Sequence, residues 1–214
     1  MKISYSILVH NETDSLEKLL DCLVKYKEPQ DEIVILDDFS DNKKTKSILD
    51  FYVSTQNIVF EQRNLLGDFA TQKNYLKNMC SGDYSFNLDA DELISHWFMK
   101  DIHEILEGNQ VDLIYLPRIN TVEGLTEEHI RYWRWQVNEK GWINFPDIQD
   151  RLFKHNKGIK FHEIPHGRLE NKGKKYAILP YEEVYSIIHI KSFEKQTSDN
   201  NWHDNKEREL GLKK

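Results

Sequence analysis

Cysteine is scarce: Cys22 and Cys80 are the only two in 214 residues. Two thiols exclude a disulfide framework and give no zinc site. Cys22 falls on the apolar side of a helical pattern and reads as a small core residue. Long apolar runs are missing too. No stretch reaches the roughly 18 residues of a membrane-spanning helix. The N-terminal run Ile3–Val9 is broken by Ser4 and Ser6 and stops at His10, too short for a signal peptide. The expectation is a soluble protein without an integral membrane segment, staying where it is made, in the cytoplasm. Positive charge is in deficit, with 29 Lys and Arg against 36 Asp and Glu and a net charge of −7. Such a field disfavours nucleic acid as a partner. Glycine-rich phosphate loops are absent: no G-x-G-x-x-G follows a strand, and no G-x-x-x-x-G-K-[ST] exists. Both lacks argue against nicotinamide and P-loop enzymes.

What is present is an ordinary globular composition, 39% hydrophobic and 30% charged, in a length suited to one domain. The first half alternates strands and helices. Ile3–Val9 reads as a buried strand. Leu16, Leu19, Leu20, Leu23 and Val24 then mark one face of a helix, with Asp14 and Glu17 as a capping box and Pro29 as its end. Residues 32–36, 58–60, 84–88 and 111–116 read as further strands, the last stopped by Pro117. Between them, Ser40 or Asp41 caps a helix through Ile48, Leu49 and Tyr52, Gly67 and Asp68 open one through Met79, and Phe98, Ile102, Ile105 and Leu106 mark another. This alternation predicts an α/β fold, a mostly parallel sheet flanked by helices, whose strands read as continuous apolar runs because both faces are covered. The second half is less regular. Residues 129–136 and 151–154 look like strands, Gly158, Gly167 and Gly173 mark turns, and from Ser198 the chain reads as a surface helix or frayed tail.

Ligands of open α/β sheets sit at the carboxyl ends of the strands, and polar groups follow these strands repeatedly. The first ends at Asn11 and Glu12, the second at Asp37 and Asp38, the fourth at Asp89, Ala90, Asp91 and Glu92. A single acid there is ordinary, since Asp caps helices; three acidic strand ends converging on one edge suggest a site. Asp89 and Asp91, two apart, are expected on one side of the strand. There they offer oxygen ligands to a hard ion such as Mg²⁺ or Mn²⁺.

Read in order, "ILVHNE", "EIVILDDFSDN", "GDFATQKNY" and "DYSFNLDADE" resemble the motifs of GT-A fold glycosyltransferases, most closely the inverting enzymes of family 2. His10 stands where that family has Tyr or Phe, and Phe39 where it has a small residue. The resemblance covers about residues 3 to 95. It implies a Rossmann-like GT-A domain over 1–214, with a nucleotide-sugar-binding half (1–95), an acceptor and catalytic half (96–197, with a smaller antiparallel part) and a polar tail (198–214). It implies that Asp37 or Asp38 bonds the base, that Glu12 approaches the ribose, and that Lys73, with Arg63, lies near base or phosphates. Val9, Asn11 and Ala90 would border the donor. Asp89 would face ribose or metal, and Asp91 would ligate Mn²⁺ or Mg²⁺ directly. The donor it implies is a UDP-sugar, UDP-glucose by default, and the acceptor a carbohydrate or glycolipid.

An inverting transferase needs a carboxylate base; the candidates are Glu163, Asp147 and Asp150. The run Arg151-Leu152-Phe153, His162-Glu163 and Ile188-His189 resembles lipopolysaccharide-core transferases, which favours Glu163 over Asp147. His189 is either a third metal ligand or a hydrogen-bonded core histidine, while His162 and His166 read as loop residues. Trp133, Trp135 and Trp142 are either acceptor-stacking rings or core and homodimer packing. Two other readings compete. A sugar-1-phosphate nucleotidyltransferase would carry a Gly-rich loop after the first strand, where this chain has His10-Asn11-Glu12-Thr13. A non-catalytic nucleotide-sugar-binding module is disfavoured by the intact Asp89/Asp91 pair.

Overall fold

A computed structural model describes residues 1–155, 157–162 and 167–212. Strands β1 (Ile3–Val9), β2 (Glu32–Asp37), β3 (Ile58–Gln62) and β4 (Tyr84–Asp89) alternate with helices α1 (Asp14–Tyr26), α2 (Lys43–Thr55) and α3 (Phe69–Met79). After β5 (Glu92–Leu93) come α4 (His96–Asn109), β6 (Leu113–Glu123), α5 (Glu127–Trp133) and β7 (Ile143–Lys154). Short strands β8 (Phe161–His162), β9 (Arg168–Leu169) and β10 (Tyr176–Ile178) precede β11 (Ile187–Ser192) and α6 (Phe193–Glu209). The main sheet runs β3-β2-β1-β4-β7-β6-β11-β5, with β10 also on β6. The ladders among β1 to β4 are parallel, and β7 is antiparallel to both β4 and β6. The chain winds outward from β1 through β2 to β3 and returns to place β4 on the other side of β1. That reversal is a switch point, where a crevice opens at the carboxyl ends.

Side chains alternate across the sheet as a strand period of two requires. Ile3, Tyr5, Ile7, Val9, Ile33 and Ile35 pack with the leucines of α1 and with Ile48, Phe98 and Ile102. Val34 and Leu36 face the other way, onto Leu76 and Cys80 around α3. Leu16, Leu19, Leu20 and Leu23 are fully buried, each worth roughly 1.5–3 kcal/mol relative to exposure. Cys22 is half-buried against the same core.

Several local expectations are corrected. Asp14 and Glu17 lie in the first turn of α1, where acids suit the helix dipole, but Thr13 precedes the helix and makes no side-chain cap, and Asp14 pairs with Lys44 of α2. The cap of α2 is Asn42, which accepts from Lys44 N and Thr45 N. Ser40 and Asp41 are unavailable, because Ser40 Oγ donates to Asp37 and Asp41 accepts from Asn11 Nδ2. Pro117 does not stop a strand; β6 runs through it. Pairing with β10 ends at Tyr115 and pairing with β11 begins at Arg118, so Pro117 falls in the gap between partners, where a missing donor costs little. Residues 127–133 form a helix rather than a strand, opened by a capping box between Thr126 and His129. The tail from Ser198 is helical to Glu209 as part of α6.

Glu32 fastens the amino end of β2 to β1 and to the turn before β4. It accepts from Lys2 Nζ at 2.7 Å, Ser4 Oγ at 2.6 Å, and Ser81 N and Oγ at 2.6 and 2.8 Å. Gly82 completes that turn. A Cβ there would stand 2.7 Å from Ser4 Oγ and 2.8 Å from Ser4 N, so only glycine fits without a shift. Burial alone would raise the Glu32 pKa, but the bonds from Lys2, Ser4 and Ser81 outweigh it and bring the value from 4.5 to about 2. A depressed carboxylate stabilises the fold above its unfolded pKa and loses that contribution as pH falls through its folded one. Stability should therefore decline as pH drops from 4.5 to about 2, and Glu32→Gln should make the decline shallower. Urea midpoints measured across that range decide it; identical slopes for variant and wild type would remove Glu32 from the acid response.

Candidate active site at the carboxyl edge of the sheet

The expected strand ends do meet, because β2, β1 and β4 are neighbours in one parallel ladder. At the β2 end the two acids differ. Asp37 is buried and accepts from Ser40 N, Ser40 Oγ at 2.5 Å and Gln62 Nε2 at 2.8 Å, so its oxygens hold loops together. Asp38 accepts from Leu65 N at 2.8 Å and lines an open cleft with Leu65, Leu66 and Gly67. Val9 is buried, and its carbonyl accepts Asp38 N at 2.8 Å. Asn11 ties the β1 loop to the β2 loop, accepting from Asp41 N and Asn42 N at 3.0 Å. Arg63 bonds Gln72 and lies over the Tyr75 ring at 5.2 Å.

At the β4 end the strand stops at Asp89, and Ala90 and Asp91 form a turn. The strand parity expected to align Asp89 with Asp91 therefore does not apply, and the two carboxylates have different partners. Asp89 takes Arg151 Nη2 at 2.5 Å and Lys73 Nζ at 3.3 Å. Burial pushes its pKa up, but Arg151 and Lys73 outweigh burial and hold it well below the usual range. Lys73 is thus spent on Asp89; burial lowers its pKa against the pull of that carboxylate. Ala90 is buried in the main core. Asp91 lies 3.1 Å from both His189 Nε2 and Lys195 Nζ, with Lys191 Nζ at 3.9 Å. The bond from His189 and the charges of the two lysines outweigh burial and lower its pKa strongly. Lys195 also bonds Glu12.

His189 reaches Asp91 because β5, directly after the turn, pairs antiparallel with β11, Glu92 opposite His189. Its Nδ1 lies 2.9 Å from Asn120 Oδ1. Asn120 Nδ2 already donates to Asp147, so Oδ1 is the acceptor and His189 Nδ1 carries the proton. Nε2 is left facing Asp91. A ring held this way by an outer hydrogen bond is the arrangement of a metal-ligating histidine. Among the described residues no three His, Cys, Asp or Glu side chains gather as a complete metal cage. Magnesium-like sites often take only one or two carboxylates and leave the remaining positions to substrate phosphates and water. The Asp91–His189 pair fits that case, and its oxygen and nitrogen donors suit Mn²⁺.

Of the candidate bases, Asp147 is tied down. One oxygen takes Arg118 Nε at 2.9 Å and Asn120 Nδ2 at 2.8 Å, the other Gln149 Nε2 at 2.7 Å. Burial raises its pKa, but Arg118 and these donors win and lower it, which makes it a weak base. Asp150 accepts from Leu169 N at 2.7 Å. Glu163 and His166 lie outside the described residues, and His162 is in β8. Trp133 and Trp135 pack at 4.5 Å between centroids and continue onto Phe193 at the start of α6. Trp142 packs on Phe145.

Three participants, Arg118, Lys191 and Lys195, carried no signal in the sequence, and Glu92 was visible only as part of the acidic run after β4. Arg118 looked like loop after Pro117. Glu92 is fully buried and takes Arg118 Nη1 at 3.0 Å and Arg151 Nη2 at 2.6 Å. Nothing in the local sequence distinguishes Lys191 or Lys195 from solvated surface charge. Only the β5–β11 pairing, a contact between distant segments, brings the lysines to Asp91.

Arg151, itself buried, neutralises two acids at once, the fully buried Glu92 and the half-buried Asp89. Removing one partner of a buried ion pair typically costs about 3–5 kcal/mol, because the other charge is left uncompensated. Arg151→Ala should lose about that much stability in urea unfolding, with Arg151→Lys recovering part of it. A midpoint unchanged from wild type would show that Asp89 and Glu92 do not depend on Arg151.

Residues 4–174 match the sequence pattern of the family described as Glycosyl transferase family 2. No curated protein matches the chain in sequence. Among solved structures, residues 1–349 of S. aureus TarS superpose with a TM-score of 0.62 at 16% identity, over 89% of this chain and 60% of that one. The same fragment in complex with UDP gives 0.59 at 17%, again over 89% and 60%. In complex with UDP-GlcNAc it gives 0.55 at 18%, over 86% and 60%. This chain spans 37% of the longer TarS chain. At these identities the likeness is one of fold: a curled, mostly parallel sheet flanked by helices with a small antiparallel addition. With the family pattern extending over most of its length, the chain belongs to glycosyl transferase family 2.

Proposed function

We propose that the chain is a metal-dependent, inverting glycosyltransferase that moves a hexose from a UDP-sugar to a carbohydrate or glycolipid acceptor. The observation that carries this reading is the meeting of an Asp38-lined cleft with the Asp91–His189 pair at one sheet edge. A nucleoside at the first and a diphosphate at the second would span the switch point between β2 and β4. The UDP and UDP-GlcNAc complexes of TarS support a uridine donor.

In the reaction, the acceptor hydroxyl oxygen attacks the anomeric carbon from the face opposite the leaving group. The bond to the diphosphate breaks, and the nucleoside diphosphate departs with its electron pair. The acceptor proton passes to a carboxylate, for which Glu163 is the choice because the oxygens of Asp147 are already engaged. Asp91 and His189 would hold Mn²⁺ or Mg²⁺. When bound, the ion acts as a Lewis acid on the diphosphate and stabilises its developing charge. Asp89, Lys73 and Arg151 position the turn that presents Asp91.

Asp91→Ala should abolish metal-dependent release of nucleoside diphosphate, by several orders of magnitude, and should also lose Mn²⁺ binding followed by electron paramagnetic resonance. Full turnover, or unchanged Mn²⁺ binding, would remove Asp91 as ligand. Glu163→Gln should keep UDP and metal affinity but lose roughly 10²–10⁴-fold in kcat, the range for removing a general base. The product of an α-linked donor should be β-linked by NMR. A retained α configuration would overturn the single displacement. Normal kcat in Glu163→Gln with a collapse in Asp147→Asn would move the base to Asp147.

A further inference from the structure

Helix α6 is an anomaly. It has 17 residues, none of them buried, so no apolar stripe attaches it to the sheet as stripes usually do. It nevertheless lies along the carboxyl edge, held by polar and aromatic contacts spaced down its length. Near its start Lys195 bridges Glu12 and Asp91. Half a turn before the helix, Lys191 pairs with Asp199 of α6 at 2.5 Å. Further on, Trp202 meets Phe69 edge-to-face at 5.6 Å. Near its end, Lys206 lies so close over Gly67 that a Cβ there would stand 2.7 Å from Lys206 Cε. Between the helix and the sheet edge is a cleft of about 470 Å³, with Asp38, Leu65, Leu66 and Gly67 on one wall and Trp202 and Lys206 on the other. That volume lies within the usual range for small-molecule sites.

We propose that α6 completes the donor site: Trp202 and Lys206 cover the nucleoside in this cleft, and Lys195 faces its diphosphate. This rests on the nucleotide-sugar reading above and extends it to residues outside the segment that matches the family pattern, which ends at 174. The chemistry follows from position. Trp202 offers a ring face to a base, a contact tolerant of base identity because every base has a π-face. Asp38 offers the carboxylate that can choose between bases. Lys195 carries its charge between Glu12 and Asp91, beside His189, where phosphates would arrive. A roof of this kind need not bury apolar side chains of its own, because its partner is a polar ligand.

The test is calorimetric titration of the full chain with UDP and with uridine. Trp202→Ala should weaken both ligands about tenfold, the scale of losing one aromatic stack. Lys195→Ala should weaken UDP by a similar factor and leave uridine unchanged, a split that a merely structural role would not produce. Trp97→Ala, on α4 and exposed, should bind both as wild type does. Trp202→Phe keeps a ring against Phe69 and should lose most of the UDP-induced change in tryptophan emission; it carries the test if circular dichroism shows that Trp202→Ala has lost helix. UDP binding that is weakened by Asp38→Asn but untouched in the Trp202 and Lys195 variants would overturn the roof and leave the donor site standing. A wild-type chain that binds no nucleoside diphosphate would overturn both.

Discussion

The buried charge at the β4–β7 seam is the constraint on which the rest of the site depends. Glu92 has no exposed surface, in a position where a sheet interior would otherwise be apolar, and Asp89 beside it is half-buried. Taking such carboxylates out of water costs several kcal/mol each unless cations and hydrogen bonds come with them. Lys73 of α3 meets Asp89, but the guanidinium groups come from the second half of the chain, Arg151 on β7 and Arg118 on β6. The antiparallel insertion between β4 and β6 therefore does more than widen the sheet: it brings the guanidinium groups that allow acids inside. Glu92 also accepts Asp89 N at 3.0 Å, which closes the turn at Ala90 and Asp91. Closing that turn starts β5, β5 pairs with β11, and His189 arrives beside Asp91. The meeting of Asp91 and His189 is thus a consequence of satisfying the acids at Asp89 and Glu92.

The first half was legible because its physics is local. Parallel strands buried on both faces must be apolar throughout, and α1 buries one face against the sheet, so its leucines recur at helical spacing. The convergence of acids followed from the switch-point rule once the alternation was recognised. The misjudged positions depend on distant partners. Ser40 looks like a helix cap until Asp37 claims its hydroxyl, and Asp41 until Asn11 does. Pro117 looks like a strand stop until two separate neighbours leave it a gap. Residues 129–136 carry alternating aromatics, yet the Thr126–His129 box starts a helix whose rings pack on Phe193. In the candidate site Asp91 and His189 were legible as candidates through the family resemblance, whereas Arg118, Lys191 and Lys195 were not, since nothing local distinguishes a buried arginine or a clamping lysine from surface charge.

The loops at the carboxyl edge carry conformational strain. Asn11, Phe39 and Leu66, in the loops after β1, β2 and β3, have φ of 56°, 45° and 53°. Left-handed backbone costs an L-residue about 1–2 kcal/mol, least for Asn, whose side chain can bond locally. The bonds that hold these loops are visible: Asn11 to Asp41 and Asn42, Asp38 to Leu65 N, and His10 Nδ1 to Asp38 O at 2.8 Å. Sheet-edge hydrogen bonding therefore sustains backbone that the sequence alone would not choose. One effect is to leave Leu66, 85% exposed, on the rim of the cleft with its side chain free of the core.

Electrostatics then connects this edge to the ligand proposed for it. The chain as a whole is anionic, with a net charge of −7, yet a nucleotide-sugar donor is itself an anion. At the site, Glu12, Asp89, Asp91, Glu92 and Asp147 are each ion-paired with lysine or arginine. The cations present are therefore largely matched by acids before any donor arrives. A diphosphate entering such a near-neutral setting brings charge that the resident lysines can balance only by giving up Glu12 or Asp91. A divalent ion held by Asp91 and His189, as proposed, would resolve this. Asp91 would then be neutralised without Lys195, leaving that lysine to face the phosphates, so the metal proposed for the turn and the lysine proposed for the roof would be two parts of one charge exchange.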